Sequence, residues 1–220
     1  MPTLKRDDDV HVLDLGDGEN RFHPDWLAAV NGALDEVEQS PAPLVTTASS
    51  RIYSNGLDLD WLGQHGDQLQ TYVAEVQGLL ARMLAFPVPT VAAIPGHVFA
   101  AGAMFALAHD FRVMRTDRGF FCLPEVDINI PFTPGMAALI QSKLVPATAH
   151  EAMTTGRRYG GTDAAAAGVV DDAVPEEDVL PKALARARAL TGKNPQTLAA
   201  IKTQMYVGPL AALREARQAG

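Results

Sequence analysis

Apolar and polar residues in the first half of the chain follow two periods, one typical of strands and one typical of helices. Residues 9–15 alternate between the two classes, which predicts a half-buried strand. After Pro24, apolar residues recur at steps of three and four as far as Val37, and this spacing predicts an amphipathic helix. Two short runs, 44–47 and the compact apolar run 90–94, predict further strands. The same reasoning predicts a polar loop at 49–62, a helix at 72–84, a small-residue helix at 100–110 and a strand at 111–117.

The second half of the chain is mainly helical in its pattern. Helical segments are predicted at 136–144, 147–156, 162–168, 179–190 and from about 195 to 217. Strands that alternate with helices, followed by a helical part, predict an α/β fold with a helical C-terminal part. A chain of 220 residues can bury one sizeable core, so a single domain over 1–220 is expected.

Charge and composition argue against several classes of protein. The formal net charge is −8, whereas a nucleic-acid binder usually needs a dense basic face. Cys122 is the one cysteine of the sequence, so no intrachain disulfide can form, which fits a reducing compartment. The N-terminus lacks the apolar core of a secretory signal, and no apolar run is long enough to span a membrane. A cytoplasmic protein without membrane or nucleic-acid partners is therefore expected.

Two loops rich in glycine and small residues, at 54–58 and 95–104, are candidates for contact with a ligand. Glycine lets the backbone approach a ligand closely, and free N–H groups at the start of a helix can face an anion. The same composition also fits tight turns that need small residues for packing, so the loops alone leave both interpretations open. Neither loop matches GxxxxGK[ST] or GxGxxG, and the six histidines form no metal-ligand pattern, so no nucleotide cofactor or metal is expected.

A third candidate segment, residues 121–131, carries Glu125 and Asp127 inside a largely apolar run. A carboxylate in apolar surroundings has a raised pKa and can act as a base near neutral pH. Glu125 is therefore a candidate base, with Asp127 as a candidate supporting carboxylate. The alternative is that both side chains face solvent at a strand end or a turn.

Taken together, the three segments resemble the enoyl-CoA hydratase/isomerase family, also called the crotonase family. That family shows an xxGxD loop, a strand that ends in NGxAxGG, an apolar helix with an Asp near its end, and the pattern FxxPExxxGxxP. The corresponding strings are SNGLD at 54–58, VAAIPGHVFAAGAMFALAHD at 91–110 and FFCLPEVDINIPFTPG at 120–135. The string TGRRYGGTDAAAAGVVDDAVP at 155–175 is similar to a later family pattern, TGxxxxAxxAxxxGLVxxVx.

The resemblance runs from about residue 10 to about 205 and implies a fold, an assembly and a ligand. The family fold is a spiral of β-β-α units (the ClpP/crotonase fold), expected here over about 1–190. A helical segment over about 191–220 is expected to assemble a homotrimer or a dimer of trimers. Family members bind acyl-CoA thioesters, so coenzyme A is expected as part of the substrate and no separate cofactor is expected. The backbone N–H groups of Leu57 and Ala101 would form an oxyanion hole, which stabilises charge on the thioester oxygen.

Departures from the family pattern favour one reaction of the family. Hydratases carry two glutamates, and their positions fall on Met104 and Glu125 here. A thioether cannot do acid–base work, whereas one carboxylate is enough to move a proton. The strings SNGLDL, LAHDFRVMRTDRG and EVDINIPF are also similar to peroxisomal isomerases of plants. The resemblance thus implies a Δ3,Δ2-enoyl-CoA isomerase, in which Glu125 removes a proton from C2 of a 3-enoyl-CoA and returns it to C4.

The resemblance also implies where the substrate binds. Ala100 and Ala101 replace two family glycines and are expected to narrow the thioester pocket. Arg51 is expected to meet a CoA phosphate, although an exposed arginine on a loop fits the sequence equally well. Two alternative functions stay open: another crotonase reaction, such as hydration or thioester hydrolysis, and a non-catalytic subunit that binds acyl-CoA. The expected substrate contacts are Ser50, Arg51, Ile52, Tyr53, Asn55, Gly56, Gly102 and Phe132.

Overall fold

The computed structural model describes residues 1–215, which form two β-sheets surrounded by helices. The strands are β1 (Thr3–Asp7), β2 (Val10–Asp14), β3 (Leu44–Thr47), β4 (Ile52–Ser54), β5 (Thr90–Ile94), β6 (His97–Phe99), β7 (Phe111–Arg115), β8 (Phe121–Cys122) and β9 (Asp172–Val174). The helices are α1 (Pro24–Gln39), α2 (Leu59–Gln64), α3 (Leu69–Leu84), α4 (Ala101–Ala108), α5 (Pro134–Lys143), α6 (Pro146–Thr155), α7 (Gly161–Ala166), α8 (Glu176–Arg188), α9 (Pro195–Met205) and α10 (Val207–Glu215). A short 3-10 helix, Gly66–Gln68, joins α2 to α3.

The larger sheet has six strands in the order β1-β2-β3-β5-β7-β9. β1 runs antiparallel to β2, and the remaining neighbours are parallel. β5 has all five residues buried, because one of its faces packs in the main hydrophobic cluster and the other in a smaller cluster with residues of α8. The predicted strands at 44–47 and 90–94 are β3 and β5, so these predictions are confirmed.

The smaller sheet is parallel and has the order β4-β6-β8. Each of its strands directly follows a strand of the larger sheet, and helical sequence comes next: β3 and β4 precede α2, β5 and β6 precede α4, and β7 and β8 precede α5. The chain therefore repeats a β-β-α unit while it advances across both sheets. This arrangement confirms the expected spiral of β-β-α units.

Helix α4 occupies the centre of the molecule, and all eight of its residues are buried. Most side chains of α4 are those of alanine and glycine, so the neighbouring elements can pack close to the helix axis. Gly102 shows how tight the fit is: a Cβ on it would lie 2.6 Å from the carbonyl oxygen of Ser54 in β4. The first turn of α4 is thereby held against the end of β4.

The C-terminal helices fold back onto the rest of the chain. Lys202 of α9 is buried, and its ammonium group donates to the carbonyls of Phe86 and Val88 and to the Asp110 carboxylate at 2.7–3.0 Å. Helix α10 packs against α3 and α5, and Leu213 belongs to the main hydrophobic cluster. The helical segment predicted from about 195 to 217 is two helices that meet at Tyr206. Residues 216–220 of the predicted C-terminal segment lie outside the described residues.

Several short elements contradict or extend the sequence predictions. The segment 49–62, predicted as a polar loop, contains β4 and most of α2. Strands β6, β8 and β9 have two or three residues each, too few for a period to be recognised. β1 was missed because its TLKRD sequence is mostly exposed and polar at the sheet edge. Within 1–215, no helix is both long enough and apolar enough to cross a membrane.

Candidate active site

A cavity of about 120 Å³ lies where the loop after β4, the start of α4 and the segment after β8 meet. It brings together five residues that the sequence analysis named as site residues: Asn55, Leu57, Ala101, Glu125 and Phe132. The other lining residues are mainly apolar: Leu59, Phe99, Ala100, Met104, Pro124, Ile128, Ile130, Pro131 and Met136. The cavity is therefore a small apolar pocket with a carboxyl group in its wall.

Glu125 is the titratable group among the described residues that line this cavity. Its residue is only 6% exposed, and within the described chain its Oε2 atom has no hydrogen-bond partner. Burial raises the pKa of this carboxyl from 4.5 to about 7, because the apolar surroundings disfavour the charged form. Glu125 can thus lose or accept a proton near neutral pH, as the sequence predicted for a base in this segment.

The turn that carries Glu125 explains why one carboxylate is buried and its neighbour is not. The N–H groups of Asp127 and Ile128 both donate to the carbonyl of Pro124, and Ile130 donates to that of Glu125. This turn places Asp127 in solvent, outside the cavity lining. The candidate role of Asp127 as a supporting carboxylate therefore finds no contact with the cavity.

The two predicted oxyanion donors lie on neighbouring loops. Ala101 is the first residue of α4, so its N–H group has no acceptor within the helix. Leu57 follows Gly56, and an ideal Cβ built on Gly56 would lie 2.7 Å from the Ala101 nitrogen. In the described chain, the Leu57 N–H donates to no main-chain carbonyl. Both N–H groups thus border the cavity and are available to a ligand oxygen.

Two residues between β4 and α4 have positive φ angles, which favour glycine: one is Gly56 and the other is Ala100. Gly56 has φ +78°, and any side chain there would collide with the start of α4. Ala100, the N-cap residue of α4, has φ 51° and ψ −129°, a region that favours glycine. A non-glycine residue in such a conformation costs on the order of 1–3 kcal/mol. The Cβ of Ala100 therefore enters the cavity region at a cost in stability.

Met104 stands in the cavity wall at the position where hydratases of the family carry their first glutamate. It is buried, one turn into α4, and lines the same cavity as Glu125. Its thioether can neither donate nor accept a proton at neutral pH. The cavity consequently combines one acid–base group with two main-chain donors.

Gly56 and Gly102 pack at the start of α4, whereas the four predicted substrate contacts from residues 50–53 lie outside this cavity. Arg51 and Ile52 line a second cavity of about 320 Å³, together with His97, Arg115 and Arg118. Burial, followed by the charges of nearby arginines, lowers the pKa of His97, so its ring is neutral at pH 7. Phe99 lies between the two cavities, because it lines the first and stacks on His97 at 5.4 Å between ring centroids.

Ser50 and Tyr53 line neither cavity, and the prediction for Tyr53 needs correction. The Tyr53 side chain is fully buried, and its hydroxyl group is hydrogen-bonded to Thr46 Oγ1 at 2.6 Å. It is a core residue, because its ring belongs to the main hydrophobic cluster. Ser50 instead closes its own loop: its hydroxyl proton is within reach of the carbonyls of Gly18 and Ile52, and its oxygen accepts from the Ile52 N–H.

A groove of about 690 Å³ lies beside this cavity, between α3, α5 and α10. The groove and the cavity share Leu57, Leu59, Ile130, Pro131 and Met136, so the two spaces lie on either side of the same side chains. This groove could not be predicted from the sequence, because its walls come from helices far apart in the chain. Residues of its walls look like ordinary core positions of amphipathic helices.

The chain was compared with known protein families, curated proteins and solved structures. The model of the family described as enoyl-CoA hydratase/isomerase matches residues 8–219. Enoyl-CoA delta isomerase 3 of Arabidopsis thaliana is 35% identical over 94% of this chain and 92% of its own. Enoyl-CoA delta isomerase 2, peroxisomal, of the same plant is 34% identical, with the same shares covered.

Solved structures agree with these relatives. The crystal structure of an enoyl-CoA hydratase/isomerase family protein from Pseudomonas syringae matches with a TM-score of 0.92 and 30% identity. The match covers 99% of this chain and 96% of that one. Family model, relatives and architecture agree along nearly the whole chain, and the protein therefore belongs to the enoyl-CoA hydratase/isomerase family.

Proposed function

We propose that the protein moves the double bond of a 3-enoyl-CoA from position 3 to position 2. The observation that carries this proposal is the composition of the cavity: one carboxyl group, Glu125, among apolar side chains and beside two main-chain donors. A double-bond shift needs one group that takes and returns a proton, and a site for the negative charge that forms meanwhile. The two relatives from Arabidopsis thaliana are named enoyl-CoA delta isomerases, which supports the same reaction here.

In the proposed reaction, the Glu125 carboxylate removes a proton from C2 of the substrate. The electron pair of that C–H bond forms a dienolate, whose oxygen accepts hydrogen bonds from the N–H groups of Leu57 and Ala101. The protonated Glu125 then returns the same proton to C4, and the double bond comes to lie between C2 and C3. A pKa of about 7 suits both steps, because neither protonation state of the carboxyl is strongly disfavoured at neutral pH.

Hydration has less support in this cavity than isomerisation. A water molecule that adds to a double bond must be held and deprotonated, for which hydratases of the family use two glutamates. Met104 occupies one of these positions and supplies no hydrogen-bonding group of comparable strength. The apolar lining around Glu125 also disfavours a stable position for water.

The CoA part of the substrate is proposed to run from the catalytic cavity past Phe99 to the cavity around Arg51. Arg51 and Arg118 are exposed there, and neither forms an ion pair within the described chain. Guanidinium groups bind phosphates in two-pronged geometry, so these two suit the phosphates of the nucleotide. The acyl tail would leave the catalytic cavity in the other direction, into the groove between α3, α5 and α10.

The assembly that fits this proposal is a homotrimer. Helix α9 has one buried residue, Lys202, and it exposes apolar side chains, among them Ile201 and Met205. Contiguous exposed apolar residues often mark contacts between protein chains. Light scattering coupled to gel filtration would test the assembly, and a mass other than three chains, or a multiple of three, would contradict it.

The isomerase proposal is tested with purified protein and 3-hexenoyl-CoA, by following the absorbance of the conjugated 2-enoyl thioester. Glu125→Gln is expected to lose at least about 10²-fold in kcat, because general acid–base catalysis contributes on that order. Asp127→Asn is the matched control, since Asp127 is an exposed carboxylate in the same turn and outside the cavity. Equal activity of wild type and Glu125→Gln, or no isomerisation by wild type, would refute the proposal.

A further inference from the structure

Tyr72 of α3 contacts the loop that carries Leu57, one of the two proposed oxyanion donors. The residue is only 2% exposed, and its ring belongs to the main hydrophobic cluster. The hydroxyl oxygen of Tyr72 accepts a hydrogen bond from the main-chain N–H of Asp58, at 2.8 Å between the two atoms. A side chain of the core is therefore bonded to the peptide group that directly follows Leu57.

The N–H groups of the loop 55–59 are nearly all engaged within the protein. Four of the five have an acceptor, namely those of Asn55, Gly56, Asp58 and Leu59. The fifth N–H group, that of Leu57, has no acceptor within residues 1–215. Because the protein itself satisfies the other donors of the loop, Leu57 is the one that stays available to a ligand oxygen.

One hydrogen bond holds each of the two peptide groups that flank the Leu57 α-carbon. Before Leu57, the carbonyl of Gly56 accepts a hydrogen bond from the Phe22 N–H at 2.8 Å. In a trans peptide the C=O and N–H bonds point in opposite directions, so this bond turns the Leu57 N–H away from Phe22. After Leu57, the Tyr72 hydroxyl group holds the next peptide group through the Asp58 N–H. Both backbone torsions of Leu57 are thereby restrained, one by the main chain and one by a side chain.

We propose that Tyr72 positions the Leu57 N–H for the thioester oxygen and so contributes to the rate of isomerisation. Without its hydroxyl group, the Asp58 N–H loses its acceptor, and the peptide group after Leu57 is free to turn towards another. A misaligned donor is costly in catalysis, because its hydrogen bond must be aimed at the oxygen on which the charge develops. Tyr72 is a positioning residue, since it lines neither the cavity around Glu125 nor the groove. The inference rests on the proposed function, because it requires Leu57 as an oxyanion donor.

The variant that tests this inference is Tyr72→Phe, which keeps the buried ring and removes only the hydroxyl group. Tyr159→Phe is the matched control, because Tyr159 is also buried and its hydroxyl group donates to the Glu151 carboxylate at 2.6 Å. Tyr159 lines neither the cavity around Glu125 nor the groove. Each variant loses one hydrogen bond, so both should melt about 2–4 °C below wild type.

The kinetics of the two variants should differ although their stabilities are similar. Loss of an oxyanion donor costs about 10²–10³ in kcat, and a donor that is only misaligned should cost less. With 3-hexenoyl-CoA, kcat of Tyr72→Phe is therefore expected to fall on the order of ten-fold, while KM stays within about two-fold of wild type. Tyr159→Phe should keep the kcat of wild type. Equal loss of kcat in both variants, or no loss in Tyr72→Phe, would contradict the inference.

A spectroscopic measurement reports on the donor without any isomerisation. Acetoacetyl-CoA loses a proton from C2 to give an enolate that absorbs in the near ultraviolet, with part of its negative charge on the thioester oxygen. Wild type should increase the fraction of enolate at pH 7, because the two N–H groups stabilise that charge. The ratio of enolate to keto form should be on the order of ten-fold lower on Tyr72→Phe and unchanged on Tyr159→Phe.

The enolate band separates this inference from the proposed function. A band that weakens in Tyr72→Phe alone, together with the lower kcat, supports the inference; if wild type shows no isomerisation, the band decides alone. Equal bands in all three proteins, or no enolate band with wild type, would overturn the inference. The isomerase proposal is judged separately, by whether wild type converts 3-hexenoyl-CoA.

Discussion

Burial of Glu125 should make the protein less stable as the pH rises. The pKa of this carboxyl is about 7 in the folded protein and 4.5 in an ordinary setting, so the folded state binds more protons between these values. The free energy of unfolding must then fall as the pH rises through this window. At about 1.4 kcal/mol for each pH unit, the loss amounts to about 3 kcal/mol above pH 7.

Glu125→Gln removes this dependence, because an amide of the same shape does not ionise. The variant should match wild type in stability near pH 4.5, where the carboxyl is protonated in the folded chain. It should then become the more stable protein, by about 3 kcal/mol, above about pH 8. Urea denaturation at a series of pH values, followed by the fluorescence of the buried Trp26, measures the difference directly.

The pH dependence of the stability difference between wild type and Glu125→Gln decides whether Glu125 is desolvated in the folded protein. A difference that does not change with pH would show that Glu125 is not desolvated in the folded protein and would refute the reasoning. Asp127→Asn serves as the control, because Asp127 is an exposed carboxylate in the same turn. Its stability difference from wild type should not show the same rise between pH 4.5 and 7.

Three further predictions follow from the same site. Ala100→Gly should stabilise the protein by about 1 kcal/mol, or about 2–4 °C in Tm, because it relieves a positive φ at a small entropic cost. Ala28→Gly, the same change at an exposed helical position, should instead cost about 1 kcal/mol in the same melting experiment. Gly102→Ala should lower stability by about 1–3 kcal/mol and reduce activity, since its Cβ would meet the Ser54 carbonyl at 2.6 Å. The kcat/KM of isomerisation should rise with pH, reach half of its maximum near pH 7 and level off above about pH 8 as Glu125 ionises; a flat profile would contradict Glu125 as the base.

Sequence periodicity was informative where an element was long or buried on both faces. The recurrence of apolar residues identified α1, and the apolar run 90–94 identified β5. Strands of two or three residues, such as β6 and β8, are set by their neighbours in the sheet and carry no period of their own. These short strands therefore depend on tertiary contacts and could not be predicted from the sequence pattern.

For the candidate active site, the sequence motifs indicated residues whose proposed roles depend on where they stand in a loop or at a helix start. Glu125, Leu57 and Ala101 were identified in this way, and the structure places all three around one cavity. Tyr53 was misassigned because the motif does not state which side of a strand faces the ligand.

The two proposed oxyanion donors belong to the main chain, and this has a consequence for how the enzyme can change over generations. The position of each N–H group is set by Gly56 and by the start of α4, not by the side chains of Leu57 and Ala101. Mutations at Leu57 can therefore reshape the space proposed for the acyl group while the two main-chain N–H groups stay in place. The main-chain geometry around the two N–H groups can thus be conserved while the side chains that line the cavity vary.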